Sequence, residues 1–149
     1  MKISTKGRYA LRTLVDLAQN ADRGFVSLSE VSERQNISKK YLEQIIPMLS
    51  RAGFLQTKLG LRGGYRLAKP AAECSVGDIL RATEGSLAPV ACVENRDECD
   101  NCDVCQTLPI WKNLAKVVAQ YLDSVSVQDV IDQNVDLEKE FFFQNGQGI

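Results

Sequence analysis

Residues 27–68, SLSEVSERQNISKKYLEQIIPMLSRAGFLQTKLGLRGGYRLA, decide the fold. Ser27-Leu28-Ser29-Glu30 matches a capping box, in which serine and glutamate satisfy the first unpaired amides of a helix. Val26 and Val31 stand where a hydrophobic staple would form. A short helix is predicted to run to about Gln35, Asn36 supplies a turn, and Ser38 caps a second helix that stops at Gly53. Two helices joined by so short a turn make a helix-turn-helix. In the second helix Leu42, Ile45, Ile46 and Leu49 share the side to be buried, while Lys39, Lys40, Glu43 and Gln44 crowd the first turns. That is the part of a recognition helix that meets base edges in a major groove. Lysine can donate to guanine or phosphate, glutamine can pair with adenine, and glutamate can accept from cytosine N4. An ordinary solvated face offers similar residues; Glu43 discriminates, because phosphates repel a carboxylate that finds no such donor. Pro47 lacks an amide and should either kink this helix or be tolerated in it at a cost. Phe54–Lys58 reads as a strand, Leu59-Gly60-Leu61-Arg62-Gly63-Gly64 as a turn, and Tyr65–Ala68 as the returning strand. A hairpin directly after a helix-turn-helix is a wing. Lys58, Arg62 and Arg66 would hang over a DNA backbone, Arg62 best placed to reach a minor groove.

Upstream, Tyr9, Ala10, Leu11, Leu14, Val15, Leu17 and Ala18 recur at helical spacing from Ser4, a fitting N-cap, to about Asn20, with Gly24 in the following turn. Lys2, Lys6, Arg8 and Arg12 form either a solvated basic face or one that lies near a DNA backbone. Lys69-Pro70 closes the DNA-binding domain, residues 1–70. This half holds thirteen Lys and Arg against five Asp and Glu, and residues 71–149 hold five against fourteen. A basic half is the footprint of a phosphate-binding surface, and the acidic half must serve another purpose.

Downstream, Ser75 caps a helix to about Thr83, and Cys74 just before it reads as a buried structural thiol rather than a ligand. The stretch CVENRDECDNCDVC then places Cys92, Cys99, Cys102 and Cys105 on one loop, with spacings of six, two and two residues and no histidine anywhere in the chain. Four such thiolates can hold tetrahedral zinc or an iron–sulfur cluster, and clustered thiols can act as a redox switch. The C-x2-C-x2-C rhythm is nearer to ferredoxins than to zinc knuckles, which favours iron–sulfur. Glu94, Asp97, Glu98, Asp100 and Asp103 add negative charge that a metal centre would relieve.

Beyond the loop Pro109 fits the first position of a helix reaching about Asp123 or Ser124. Its apolar stripe includes Ile110, Leu114, Val117, Val118 and Tyr121, too broad for a domain this small to cover. Packing on its own winged helix would use part of it. Pairing with a second copy fits better, because helix-turn-helix proteins read two half-sites. Ser126–Ile131 suggests a last short helix. Residues 71–132 therefore form a cysteine-loop sensing and dimerisation region, and the tail 133–149 either docks on the dimer or is disordered. The fold class is mainly α with a small β-hairpin wing: a winged helix-turn-helix plus a long dimerisation helix.

Hydrophobic content of 44% and charged content of 25% are those of a globular chain. No stretch approaches the roughly 20 apolar residues of a membrane span, and no signal peptide is visible, so a cytoplasmic protein with reduced thiols is expected. No Ser/Lys or carboxylate constellation and no phosphate loop point to an enzyme.

The opening MKISTKGRYALRTLVDLA, the segment ISKKYLEQIIPMLSRAGFL, RGGYRLAKP and SVGDILRATEG together resemble the IscR/NsrR/CymR family of bacterial winged-helix regulators, over residues 1 to about 132. The cysteine loop and the Trp111-bearing helix after it are most similar to the iron–sulfur regulator branch, IscR. The resemblance implies a homodimer that reads double-stranded DNA at a palindromic promoter site, with a long crossing helix. It also implies a cluster, 2Fe-2S favoured over 4Fe-4S, held by Cys92, Cys99 and Cys105. Where that branch supplies a histidine this chain has Leu108, and where other members supply a carboxylate it has Arg8. Cys102 is then the nearest thiol for a fourth ligand. The wing arginine usual before the glycine turn is Leu59 here, with Arg62 on the other side. The function implied is a DNA-binding regulator, a repressor, controlled by the cluster and governing cluster-assembly or cysteine and iron homeostasis genes. A nitric-oxide or thiol redox-sensing repressor is the alternative within the family. A zinc-bound interaction module or an iron–sulfur electron carrier is the alternative outside it.

Overall fold

Among the described residues serine hydroxyls start five of the six α-helices, because an oxygen at the N-cap satisfies an amide that has no partner inside the helix. In the computed structural model, which describes residues 1–136, Ser4 caps α1 (Thr5–Gln19), Ser27 caps α2 (Leu28–Gln35) and Ser38 caps α3 (Lys39–Arg51). Ser75 caps α4 (Val76–Glu84) and Ser126 caps α6 (Val127–Ile131). The exception is α5 (Leu108–Ser124), preceded by Thr107 without a side-chain cap. Pro109 there occupies the second helical position rather than the first, where a missing amide is equally harmless. The predicted tail overlaps the described residues only at 133–136, and its aromatic run lies outside them.

The capping box is complete: the Ser27 hydroxyl accepts from the Glu30 amide at 3.3 Å and the Glu30 carboxylate accepts from the Ser27 amide at 2.9 Å. Val26 and Val31, the staple pair, are both buried. Asn36 takes the left-handed conformation, φ 52° and ψ 46°, that ends α2 and allows α3 to begin three residues later. Helix α3 runs unbroken through Pro47, which is exposed, so the proline is tolerated.

The wing is an antiparallel pair, β1 (Leu55–Lys58) and β2 (Gly64–Leu67), in register from Leu55 opposite Leu67 to Lys58 opposite Gly64. Phe54 and Ala68, expected in the strands, fall just outside, although the Ala68 amide still donates to the Phe54 carbonyl at 2.9 Å. Val26 and Tyr65 exchange backbone bonds of 2.9 and 2.8 Å, which ties the wing to the entry of α2. Gly64 makes that approach, since a β-carbon there would lie 2.2 Å from the Val26 carbonyl oxygen.

Helix α1 is the central packing element. Its Ala10, Leu14 and Leu17 meet Leu42, Ile45 and Leu49 of α3, together with Val26, Val31, Ile37 and Phe54. Full burial of one such aliphatic side chain contributes about 1.5–3 kcal/mol. Cys74, Ile79 of α4 and Val127 of α6 belong to this same core, and Cys74 is the buried thiol expected, its pKa pushed up by burial. A second cluster, Val76, Leu80, Leu87 and Val125, joins α4 to the end of α5. The one buried charge among the described residues, Asp16, is paired: Arg34 donates to it twice, at 3.0 and 2.8 Å, and Gln35 once at 3.0 Å, fixing α2 on α1. Among the described residues no helix is long and apolar enough to cross a membrane.

Candidate nucleic-acid interface and candidate metal centre

Helix α3 buries one face and leaves the other in water, and its start is fixed by Ser38. Lys39, Lys40, Glu43 and Gln44 are all exposed on the outer face. Lys40, Tyr41 and Gln44 share a cleft with Lys6 of α1. Tyr41 stands edge-on to Tyr9, ring centroids 5.5 Å apart at 89°, and the Arg12 guanidinium lies 5.5 Å over the Tyr9 ring. Lys6, expected on a basic face that is either solvated or near a DNA backbone, is therefore part of this surface, and so is Tyr41, which the sequence candidates did not include. The signal for Tyr41 was an aromatic between lysine and glutamate, and position alone could not say which face it takes.

The wing cations are not equivalent. Lys58 and Arg66 lie 5.8 and 4.5 Å over the Phe25 ring, and the Arg66 Nε also donates to Gln56 at 2.8 Å. A cation over a ring is attracted by the ring's electron-rich face. Phe25 thus acts as a platform for two cations, a role no motif announced. Arg62, nearer the apex, is exposed.

The cysteine loop leaves the end of α4, passes through two short 3-10 turns, Ala91–Val93 and Arg96–Glu98, and enters α5. Cys102 is buried, and its thiol is held above the ordinary pKa by burial first, then by the neighbouring Cys99 and Cys92. Cys105 points elsewhere: its Sγ is 3.3 Å from the Thr107 hydroxyl, the first cause of a lowered pKa. Cys92, Cys99 and Cys102 are therefore brought near one another, while the Cys105 thiol is engaged with Thr107. Asp97, Asp100 and Asp103 line the same groove, where Arg96 pairs with Asp103 at 3.0 Å.

Sulfur donors without histidine fit a soft metal centre. The positions require a local rearrangement, since among the described residues no three Cys, Asp or Glu side chains surround one metal-sized point. Leu108, where the resemblance sought a histidine, is buried as an apolar residue, and Arg8 donates to Thr5 at 3.2 Å. Neither serves as a ligand. The loop entrance lies against the start of α1: the Ser4 amide and hydroxyl both donate to Glu84, at 2.9 and 2.7 Å, and the Met1 amine donates to the Pro89 carbonyl at 3.5 Å.

On α5 the predicted stripe divides. Tyr121 and Leu122 pack on the second cluster, and Val118 is half-buried. Ile110, Leu114 and Val117, spaced along one face, remain 58%, 40% and 46% exposed.

A family model described as Rrf2, iron-dependent transcriptional regulator, matches residues 3–133. Protein rrf2 of Nitratidesulfovibrio vulgaris is 39% identical over 131 residues, 88% of this chain and 87% of that protein. Among solved structures, CymR, the global cysteine regulator of B. subtilis, superposes with a TM-score of 0.74 at 32% identity, covering 89% of this chain and 98% of that one. IscR of T. potens does so with a TM-score of 0.71 at 34% identity, covering 99% and 94%.

Proposed function

We propose that this chain, which belongs to the Rrf2 family and is a helix-turn-helix transcription regulator rather than an enzyme, represses promoters under the control of an iron–sulfur cluster on its cysteine loop. The observation that carries the reading is the exposed start of α3, Lys39, Lys40, Glu43 and Gln44, in a chain whose wing also exposes Lys58 and Arg62. Helix α3 enters a major groove, where Gln44 and Glu43 read bases and the lysines hold phosphates. Residues 1–70 form the DNA-binding unit, and 71–132 the unit that senses and pairs. Two copies join through Ile110, Leu114, Val117, Val118 and Tyr121 of α5, so the DNA site is palindromic.

Cys92, Cys99 and Cys105 hold the cluster, and Cys102, already against two of them, is the fourth ligand. The cluster, once bound, supplies a redox-sensitive centre. The protein's own part is to release Cys105 from Thr107 and close the loop around the sulfurs. A 2Fe-2S form is favoured over 4Fe-4S. That IscR and the global cysteine regulator CymR share this fold supports targets in cluster assembly or cysteine and iron homeostasis, and a cytoplasmic site of action. A thiol redox switch is the second reading, favoured by the contact of Cys102 with Cys99 and Cys92.

Anaerobic purification followed by an absorption spectrum and counts of iron, sulfide and zinc tests the cofactor. Iron with equimolar sulfide is expected; zinc alone, or no metal after reconstitution, overturns it. Binding to a palindromic duplex selected from a random pool, weakening steeply with salt, tests the DNA reading.

A further inference from the structure

The wing apex carries two leucines in water. Leu59 is 90% and Leu61 108% exposed, and they flank Gly60. Single exposed apolar residues are ordinary on any surface. Two within three residues, at the tip of a hairpin, are a different matter, because neither contributes burial to the fold. The tip is also built to hold its shape. The Gly63 amide donates to the Gly60 carbonyl at 3.0 Å, and Gly60 has a φ of 105°. A β-carbon at Gly63 would lie 2.1 Å from the Lys58 carbonyl oxygen, so the chain crosses itself where only glycine fits. The β1–β2 ladder and the Val26–Tyr65 bonds brace the hairpin from below.

Cations frame the apolar tip: Arg62 adjoins Leu61, while Lys58 and Arg66 rest on Phe25. A polyanion with an apolar interior therefore complements it. The hairpin follows α3 directly in the chain and its first strand packs on that helix. We propose that Leu59 and Leu61 form an apolar wedge that enters the minor groove next to the α3 contact and partly unstacks one base step, with the wing cations on the flanking phosphates.

The physical argument is that leucine inserted between bases leaves water and unstacks the step, while the neighbouring cations hold the backbones on either side. Unstacking is least costly at pyrimidine–purine steps, so the wedge also reads sequence, through deformability rather than through hydrogen bonds. This rests on the DNA-binding reading above and adds a contact that reading does not require.

The test uses the full-length protein, purified anaerobically and also stripped of metal, with a duplex it selects from a random pool. 2-Aminopurine is placed at each flanking step in turn. Wild type should raise the fluorescence at one step per half-site, a TA or CA/TG step. Leu59→Ser with Leu61→Ser should abolish the rise and weaken binding by about tenfold, the burial gain being partly offset by unstacking. Arg62→Ala should weaken binding and keep the rise. Circular dichroism confirms that the exposed substitutions leave the fold intact. A wild type that raises no flanking signal, or a double variant that keeps it, overturns the wedge while leaving DNA binding standing. So does a double variant whose sole change is lost binding to anionic vesicles, which would make the tip a membrane contact. A protein that selects no duplex at all overturns the DNA reading itself.

Discussion

Replacing Leu114 with lysine should separate the fold from the dimer. Within one chain Leu114 is 40% exposed on α5, and the main core, built from α1 and α3, lies elsewhere. A lysine there can lie along the helix and reach water with its ammonium, so the folded monomer should change by no more than about 0.5 kcal/mol. The proposed dimer is a different case. In a two-fold interface each substitution enters twice. Losing about half of one leucine's burial costs about 1 kcal/mol per copy, and an ammonium sealed in without a partner adds several kcal/mol more. Even a total of about 4 kcal/mol is about a thousandfold in the dimer dissociation constant. Sedimentation equilibrium should then find monomers at concentrations where the parent is dimeric, with native helix content by circular dichroism. Operator affinity should fall in parallel, since one half-site offers too few contacts. An undisturbed dimer would refute the placement of this face in the interface. An unfolded monomer would refute the division of labour, because Leu114 would then belong to the chain's own core.

Gln44→Ala should cost about 1–3 kcal/mol at the selected site and relax its sequence preference, measured against mutated duplexes. Arg62→Ala should weaken binding uniformly across sequences and reduce the salt slope by about 1. Cys92→Ala, Cys99→Ala and Cys105→Ala should each abolish the cluster after anaerobic reconstitution, and Cys102→Ala should leave a labile one with an altered spectrum; a Cys102→Ala protein of parental spectrum and lifetime would exclude Cys102 as a ligand. Glu30 has a pKa lowered below the ordinary 4.5, chiefly by the bond from the Ser27 amide. A lowered folded-state pKa stabilises above the unfolded value, and that contribution is lost as pH falls through the folded value. Glu30→Gln should therefore flatten the acid limb of the stability–pH curve below about pH 4.5, read by denaturant unfolding, and leave neighbouring pH values nearly parallel.

What was legible in the sequence follows the range of the interactions. A serine three residues before the amide it accepts from, or a glycine where the backbone must cross itself, leaves a mark within a few positions. Ser27 with Glu30, Ser38 and the 60–64 turn could all be read in that way. Cys74 was legible for a similar reason, as an isolated thiol in an apolar context. Partners distant in sequence left no such mark. Glu84 receives two bonds from Ser4, 80 residues away, and a β-carbon on Gly7 would meet Glu84 Oε1 at 2.3 Å. Phe25 beneath two wing cations, and Val127 inside the winged-helix core, are tertiary facts of the same kind. The cysteine loop has no period to orient it, so spacing could bring four sulfurs into one neighbourhood without saying that Cys102, rather than Cys105, would sit against Cys92 and Cys99.

Charge shows how composition becomes function only after folding. Counting by halves credits the first 70 residues with thirteen cations, but among the described residues two of these, and two of the five beyond, are committed in ion pairs. Arg34 is held by Asp16, Arg23 by Glu30, Arg81 by Asp78 and Asp123, and Arg96 by Asp103. A cation already paired has little field left for a phosphate and would lose its partner on binding one. Among the described residues Lys39, Lys40, Lys58 and Arg62 carry no such ion pair, and all four lie at the start of α3 or on the wing. Glu43, the single carboxylate in that company, likewise has no cation bound to it, which leaves it available to a base donor. At these positions helix capping and hairpin geometry have already fixed the backbone. A counterion atmosphere released from DNA would be replaced there by side chains that need break no ion pair to reach it.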